Sequence, residues 1–271
     1  MEYRKKKGAG EKSLADFKAE FKEKEQNAGK NPSYENLRNF AAKKRNYFEE
    51  LQLNLQEDQG YLCVYCQGRI SSTENNHRVE HYKPKSIYKG AVNTSDDNKI
   101  LCEKEEIFRE DLRVVYSNLL GACDDKISNK HCDTLKANTE LCYIPNPTSD
   151  EFETFQSQLK YSENGRIEYK LTDDGIHEKI NHEIETVLNL NEEEILKRRK
   201  KDWKVVYNRL SSRIGIRHYN EWKNNKNVVL KELKREIKYN SNYIKGSKQF
   251  HPFKGFIIYR LNWLLRYLER S

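Results

Sequence analysis

Two cysteines three positions apart, Cys63 and Cys66 in YLCVYC, constrain this chain more than any other feature. A C-x-x-C pair brings two thiolates from one tight turn onto a single tetrahedral zinc, and that ion requires two further ligands from elsewhere. Cys123 and Cys132, which flank the insertion DDKISNKH, are the candidates, and His131 beside Cys132 is a rival ligand. The same spacing serves redox dithiols. No βαβ pattern surrounds this pair, so structural zinc is the expectation. Cys102 and Cys142 have no paired neighbour and read as small buried hydrophobes. The segment MEYRKKKGAGEK lacks the apolar core of a secretory signal, and no stretch nears the roughly 20 apolar residues of a bilayer span. A cytoplasmic protein without a membrane partner is expected, in which the six cysteines serve as ligands or core residues rather than disulfides.

The richest chemistry lies in Val79-Glu80-His81-Tyr82-Lys83-Pro84-Lys85. A carboxylate beside an imidazole at the end of a strand suits metal-assisted hydrolysis: the acid binds a hard divalent cation, and the neutral ring takes a proton from water. Tyr116-Ser117-Asn118-Leu119-Leu120 supplies an amide that can orient the histidine through a backbone or ring contact. Cys132-Asp133-Thr134-Leu135-Lys136 supplies a second acid one residue after a proposed zinc ligand, at a helix start, opposite Glu80. Lys83, Lys85 and Lys136 read as contacts to phosphate oxygens. If His81 is the base, activity is expected to fall below about pH 6.5, the unperturbed imidazole value.

Around this centre the sequence patterns as follows. Residues 1–30 suggest a helix with a frayed start, and Ser33 to Asp58 repeats apolar residues at helical steps. YLCVYCQGRI reads as two short strands about a knuckle, and HRVEHYKPK begins as a strand. VVYSNLLGAC suggests a strand or turn entering a short helix, and NKHCDTLKAN a further helical turn. Asn164-Gly165 marks a hairpin in FQSQLKYSENGRIEYKL. Four amphipathic segments follow: HEKINHEIETVLNL, EEEILKRRKKDWKVVYNRLSSRI, NVVLKELKREIKYN and FIIYRLNWLLRYLER. The expected organisation is α+β: an N-terminal helical region over 1–58, a zinc-bound core over 59–142, and a hairpin plus helical region over 143–271.

The order C-x-x-C, acid-His-x-x-Pro, Asn-Leu, Cys, Cys-x-x-x-Lys resembles the HNH endonucleases, whose core is a ββα-metal fold. More narrowly, YLCVYC, HRVEHYKPKS, YSNLLGAC, HCDTLK, IPNP, YSENGRIEY and VLNLNEEEILKRR resemble the HNH proteins of Septu and retron-associated antiphage systems, the PtuB family. The resemblance spans roughly residues 40–205. It implies His81 as general base, Asn118 as the middle residue of the motif's name, and Glu80 with Asp133 as ligands of a catalytic Mg²⁺ or Mn²⁺. Asp133 stands where the family usually has Asn or His, which leaves His131 a rival. Cys123 and Cys132 are spaced more widely than the second C-x-x-C of many relatives. Implied partners are DNA, or RNA such as tRNA, a PtuA-type ATPase, and a retron reverse transcriptase with its RNA–DNA hybrid. The competing reading is a catalytically inactive, zinc-dependent nucleic-acid-binding module.

Charge bears on that choice. A formal net charge of +8 favours a polyanionic partner, since Lys and Arg gain by releasing counterions from phosphates. The densest run is Lys197-Arg198-Arg199-Lys200-Lys201, followed by Trp203, which can track a backbone and stack a base. The alternative is a solvated helix face. Arg4-Lys5-Lys6-Lys7 carries the same two readings.

Overall fold

Leu14, Phe17 and Phe21 fall at three- and four-residue steps, and they form the buried stripe of helix α1 (Gly8–Glu23). The computed structural model describes residues 8–24, 33–42, 45–70, 77–85, 112–124, 130–170 and 175–270. The basic run at residues 4–7, Cys102 and the polar segments at 71–76 and 91–99 lie outside them. The helical pattern from Ser33 to Asp58 is interrupted. Ser33 caps α2 (Tyr34–Arg38) by accepting from the Asn36 amide, and α3 (Tyr47–Asp58) follows after a two-residue ladder between β1 (Ala41–Ala42) and β2 (Arg45–Asn46). These helices close a first core in which the Phe40 and Tyr47 rings stack, and Val114, Tyr116 and Leu119 join it from much later in the chain.

The central sheet is an antiparallel pair, β3 (His77–His81) and β4 (Leu119–Cys123), in register from His77 opposite Cys123 to His81 opposite Leu119. For VVYSNLLGAC the expectation is a strand or turn entering a short helix. A single 3₁₀ turn at Tyr116–Asn118 comes first instead, and the strand follows. Alternation along a strand explains the placement: Leu119 faces the first core, whereas Leu120 and Ala122 face a second core built around the cysteines. Gln59 fixes β4 by bonding both polar groups of Gly121, donating to its carbonyl at 2.7 Å and accepting from its amide at 2.6 Å. A Cβ at Gly121 would stand 3.2 Å from Gln59 and Ile70, so this clamp requires the missing side chain.

The helix α4 (Cys132–Lys136) is one turn long. After it come α5 (Glu151–Ser157) and the hairpin of β5 (Leu159–Tyr161) with β6 (Ile167–Tyr169). Its loop spans Ser162–Arg166, wider than a two-residue turn, with Gly165 at φ +86°. The helix α6 (Ile176–His182) continues into a π turn at Glu183–Val187. There the Glu183 carboxylate accepts from the amides of Cys142, Tyr143 and Ile144 and fixes the segment after α4. Helices α7 (Glu193–Ile214), α8 (Lys226–Ser241) and α9 (Lys254–Arg270) enclose a third core around Trp222. Glu236 is buried there beneath Arg209 and Arg213.

The three cores cut across the expected segments: the hairpin, α6 and the start of α7 belong with the cysteines, and α7 and α9 run on into the third core. Among the described residues no helix is long and apolar enough to cross a membrane.

Arg199 departs from the expectation that it contacts nucleic acid. Its step along α7 turns it inward, where it is 1% exposed and donates to the carbonyls of Gly165 (2.8 Å) and Leu190 (3.0 Å). Its guanidinium lies over the Tyr161 and Phe253 rings and within electrostatic reach of Cys66 and Cys132. Arg199→Ala leaves two buried carbonyls unsatisfied and is expected to cost about 2–4 kcal/mol of stability, read by chemical denaturation, with nucleic-acid affinity unchanged.

Candidate active site and metal centre

The knuckle at residues 61–70 is held by backbone bonds from the Cys63 amide to the Gly68 carbonyl (2.8 Å) and from the Gln67 amide to the Cys63 carbonyl (3.0 Å). Only the bridge between Leu62 and Arg69 remains of the two strands expected there. The Gly68 amide donates to Cys66 Sγ at 3.3 Å, as suits a sulfur carrying negative charge. Cys123 arrives from the end of β4. Cys132 opens α4 at φ +56°, a left-handed value held in place by its amide bond to the Leu188 carbonyl.

All four sulfurs lie within 4.8 Å of one another, with Cys63–Cys132 and Cys66–Cys123 each at 3.8 Å. A zinc tetrahedron with Zn–S bonds of about 2.3 Å has edges of about 3.8 Å, so the cluster is compatible with a structural zinc site. Hydrogen bonds from Cys123, Cys132 and Cys63 draw the Cys66 thiol well below its ordinary value, and burial holds Cys132 well above. His131 stands outside the four, with Nδ1 3.7 Å from Cys123 Sγ. Cys142, expected as a small buried hydrophobe, is half-buried.

The strand β3 runs along a cleft of about 610 Å³ whose walls include Tyr34, Arg78, Glu80, His81, Lys85 and Asp133. Glu80 is buried. It receives the Tyr65 hydroxyl (3.0 Å) and the Lys136 ammonium (2.6 Å) on the same oxygen, Oε1. Burial works to raise its carboxyl, but Lys136 and the hydrogen bonds from Asp133 and Tyr65 outweigh burial and hold it below the usual value. Asp133 goes the other way: burial, its hydrogen bond to Glu80 and the Glu80 charge push it up to about 8. Two carboxyls in contact beside a cleft, one resisting ionisation because the other is charged, are relieved by a divalent cation. Two such carboxylates have the hard oxygen donors that a divalent cation takes.

His81 is buried with its ring edge against Tyr34, centroids 4.6 Å apart. Its Nε2 is 3.1 Å from the Arg113 carbonyl oxygen. A carbonyl only accepts, so Nε2 carries the proton and Nδ1 keeps a lone pair. Burial pushes the ring down to about 4, so it stays neutral well below the pH 6.5 limit expected from sequence.

Lys83 and Lys136 depart from expectation, whereas Asn118 makes the backbone contact that was one of the two expected of it. The hydrogen bonds of Asn118 go to the backbone around the histidine rather than to its ring: it accepts from the Lys83 amide (2.8 Å) and donates to the Lys83 (3.1 Å) and Leu112 (3.0 Å) carbonyls. Asn118 is thus a positioning residue that ties the chain just after His81 to the chain just before Arg113. Lys83, expected at a phosphate, is half-buried and pairs with Glu140. Lys136 has no exposed surface, so its expected phosphate contact is corrected: its partners are Glu80 and the His81 carbonyl. Lys85 remains at the cleft, 5.0 Å over the Tyr34 ring. On α7, Arg198, Lys200 and Lys201 are exposed, Lys197 pairs with Glu193 and Glu194, and Trp203 is half-buried against Phe256.

Sequence reasoning missed Tyr65, Tyr34 and Arg78, whose Nη1 lies 3.9 Å from Asp133. Period-two alternation in HRVEH sets Arg78 on the face of Glu80, and that signal was available. Comparison with protein-family models gives no match, nor does comparison with curated proteins.

Proposed function

We infer that the chain is an HNH-type endonuclease, stapled by a structural Zn²⁺ on Cys63, Cys66, Cys123 and Cys132, that hydrolyses a nucleic-acid phosphodiester. The observation that carries this reading is one cleft holding the touching Glu80–Asp133 pair and a neutral imidazole with an available Nδ1. Glu80 and Asp133 would hold Mg²⁺ or Mn²⁺, which supplies Lewis acidity towards the phosphoryl and leaving oxygens when bound. His81 Nδ1 takes a proton from water, the water oxygen bonds to phosphorus, and the P–O3′ bond breaks, with the leaving oxygen protonated from solvent. The Arg113 carbonyl fixes the tautomer, Asn118 fixes the loop, and Tyr34 excludes water from one side of the ring.

DNA is the substrate of first choice, with tRNA the alternative, in the cytoplasm and in complex with a PtuA-type ATPase; a retron reverse transcriptase with its RNA–DNA hybrid is a further partner. Incubation with plasmid DNA and total tRNA in Mg²⁺, with and without that ATPase, tests this. Cleavage of either pool supports the reading and names the substrate. No cleavage under any of these conditions favours a zinc-dependent nucleic-acid-binding module without catalysis.

The exposed part of the α7 run makes a separate expectation. Replacing Lys200 and Lys201 together with alanine should weaken nucleic-acid binding and lower the slope of log affinity against log salt by about 2. An unchanged slope in a filter-binding titration would identify the run as a solvated face.

A further inference from the structure

A lysine with no solvent exposure is an unusual resident of an acidic site, because an ammonium is costly to bury unless an acid faces it. Lys136 is such a residue, 2.6 Å from Glu80 Oε1 and 3.2 Å from the His81 carbonyl oxygen. It closes the one-turn helix that Cys132 opens and on which Asp133 sits, so one element delivers a sulfur, an acid and an ammonium to one place. Tyr65 donates to the same Glu80 oxygen at 3.0 Å, so Oε1 is already saturated by two donors. Only Oε2 of Glu80 and the Asp133 carboxylate remain for an incoming cation.

We propose that Lys136 is a resident counter-cation that keeps the Glu80–Asp133 pair assembled without a metal and makes loading of the catalytic divalent ion depend on a nucleic-acid phosphate. The inference rests on the reading of Glu80 and Asp133 as that ion's ligands. With both acids ionised, as ligation of an ion requires, two carboxylates and one ammonium carry a net single negative charge. A divalent cation turns that into a net positive charge inside a largely buried site, while Arg78 at the rim is already met by Asp124 at 2.8 Å. Repulsion between Lys136 and the ion is weakly screened there. A phosphodiester brings the one negative charge that returns the site to neutrality. Ion and phosphate thus bind more tightly together than either does alone, and the coupling is reciprocal. Without Lys136 the acids alone attract the ion, and the phosphate is no longer needed to hold it.

Binding of Mn²⁺ to the full chain, followed by the loss of its free-ion electron paramagnetic resonance signal, tests this without reference to cleavage. In the unmodified chain, a short phosphorothioate duplex, tried as DNA and as RNA, is expected to tighten Mn²⁺ binding by at least about tenfold. Lys136→Met is expected to tighten Mn²⁺ binding by about tenfold without any oligonucleotide and to shrink the oligonucleotide's further effect to under about threefold. Lys136→Arg keeps the charge and should behave as the unmodified chain. A folded Lys136→Met variant with unchanged or weaker Mn²⁺ binding overturns the proposal. So does an unmodified chain whose Mn²⁺ affinity ignores both duplexes, an arm that needs no variant to fold. Glu80→Gln separates the two layers: if it leaves Mn²⁺ binding intact, the ion is not at these acids and the reading of the site itself fails.

Discussion

Replacing His81 with alanine is expected to lower phosphodiester cleavage by at least about a hundredfold while changing nucleic-acid affinity by no more than about twofold. General-base catalysis contributes roughly 10²–10⁴ in rate, and His81 lines the cleft that Glu80 also lines, with Nε2 engaged by the Arg113 carbonyl and Nδ1 the nitrogen left with a lone pair. The substitution also removes a buried ring, its contact with Tyr34 and its bond to the Arg113 carbonyl, so some loss of stability will accompany it. Chemical rescue distinguishes the two effects. Added imidazole should restore part of the cleavage by the alanine variant if the ring acts as a base, and none of it if the ring only packs. Full activity in a folded His81→Ala protein would remove His81 from the chemistry.

The largest effect on stability is expected at Cys132. Its thiol is fully buried, it begins α4 at a left-handed φ, and the helix it starts carries Asp133 and Lys136. Cys132→Ser removes one of four sulfurs and leaves three thiols crowded around a hydroxyl. Structural zinc sites contribute on the order of 10 kcal/mol to the folding of small domains. Even a loss of about 5 kcal/mol lowers the unfolding midpoint of a chain this size by more than about 10 °C. Calorimetry together with elemental analysis reads both sides of the expectation: about one zinc per chain in the unmodified protein, less in the variant, and a fallen midpoint. A variant that keeps its zinc and its midpoint would remove Cys132 from the ligand set.

The cysteine cluster was legible because metal ligation forces residues together whatever the fold between them: Cys63, Cys66, Cys123 and Cys132 could be grouped before any strand was assigned. The pairing of Glu80 with Asp133 followed from the same tether, since the acid sits one residue from a sulfur. What the sequence hid was direction. Lys136 and Arg199 carry the most hydrophilic side chains available, and nothing local reveals that each turns inward to meet a buried partner, one a carboxylate and the other two carbonyls and a pair of rings. The break between α2 and α3 was hidden for a related reason. Leu37, Phe40, Tyr47, Leu51 and Leu55 all enter one core, so their spacing mimics a continuous helix although the chain turns back between them. The strand β4 was masked by its length: LLGAC is too short and too apolar for periodicity to separate strand from helix, and its pairing with β3 decides the matter.

The alternation along β4 has one more consequence. Leu119 belongs to the core of the N-terminal helices and Leu120 to the core of the sulfurs, so the strand pair bearing Glu80 and His81 is mortared between two bodies and is part of the wall of each. Tyr34, against the His81 ring, comes from the N-terminal side alone. Residues 8–58 therefore supply part of the wall of the proposed site, through Tyr34, Arg38, Phe48 and Gln52, although they contribute none of its proposed acids and not its proposed base. A protease that removed those helices would strip Tyr34 from the His81 ring and leave that ring held by the Arg113 carbonyl alone, beside an intact sulfur centre.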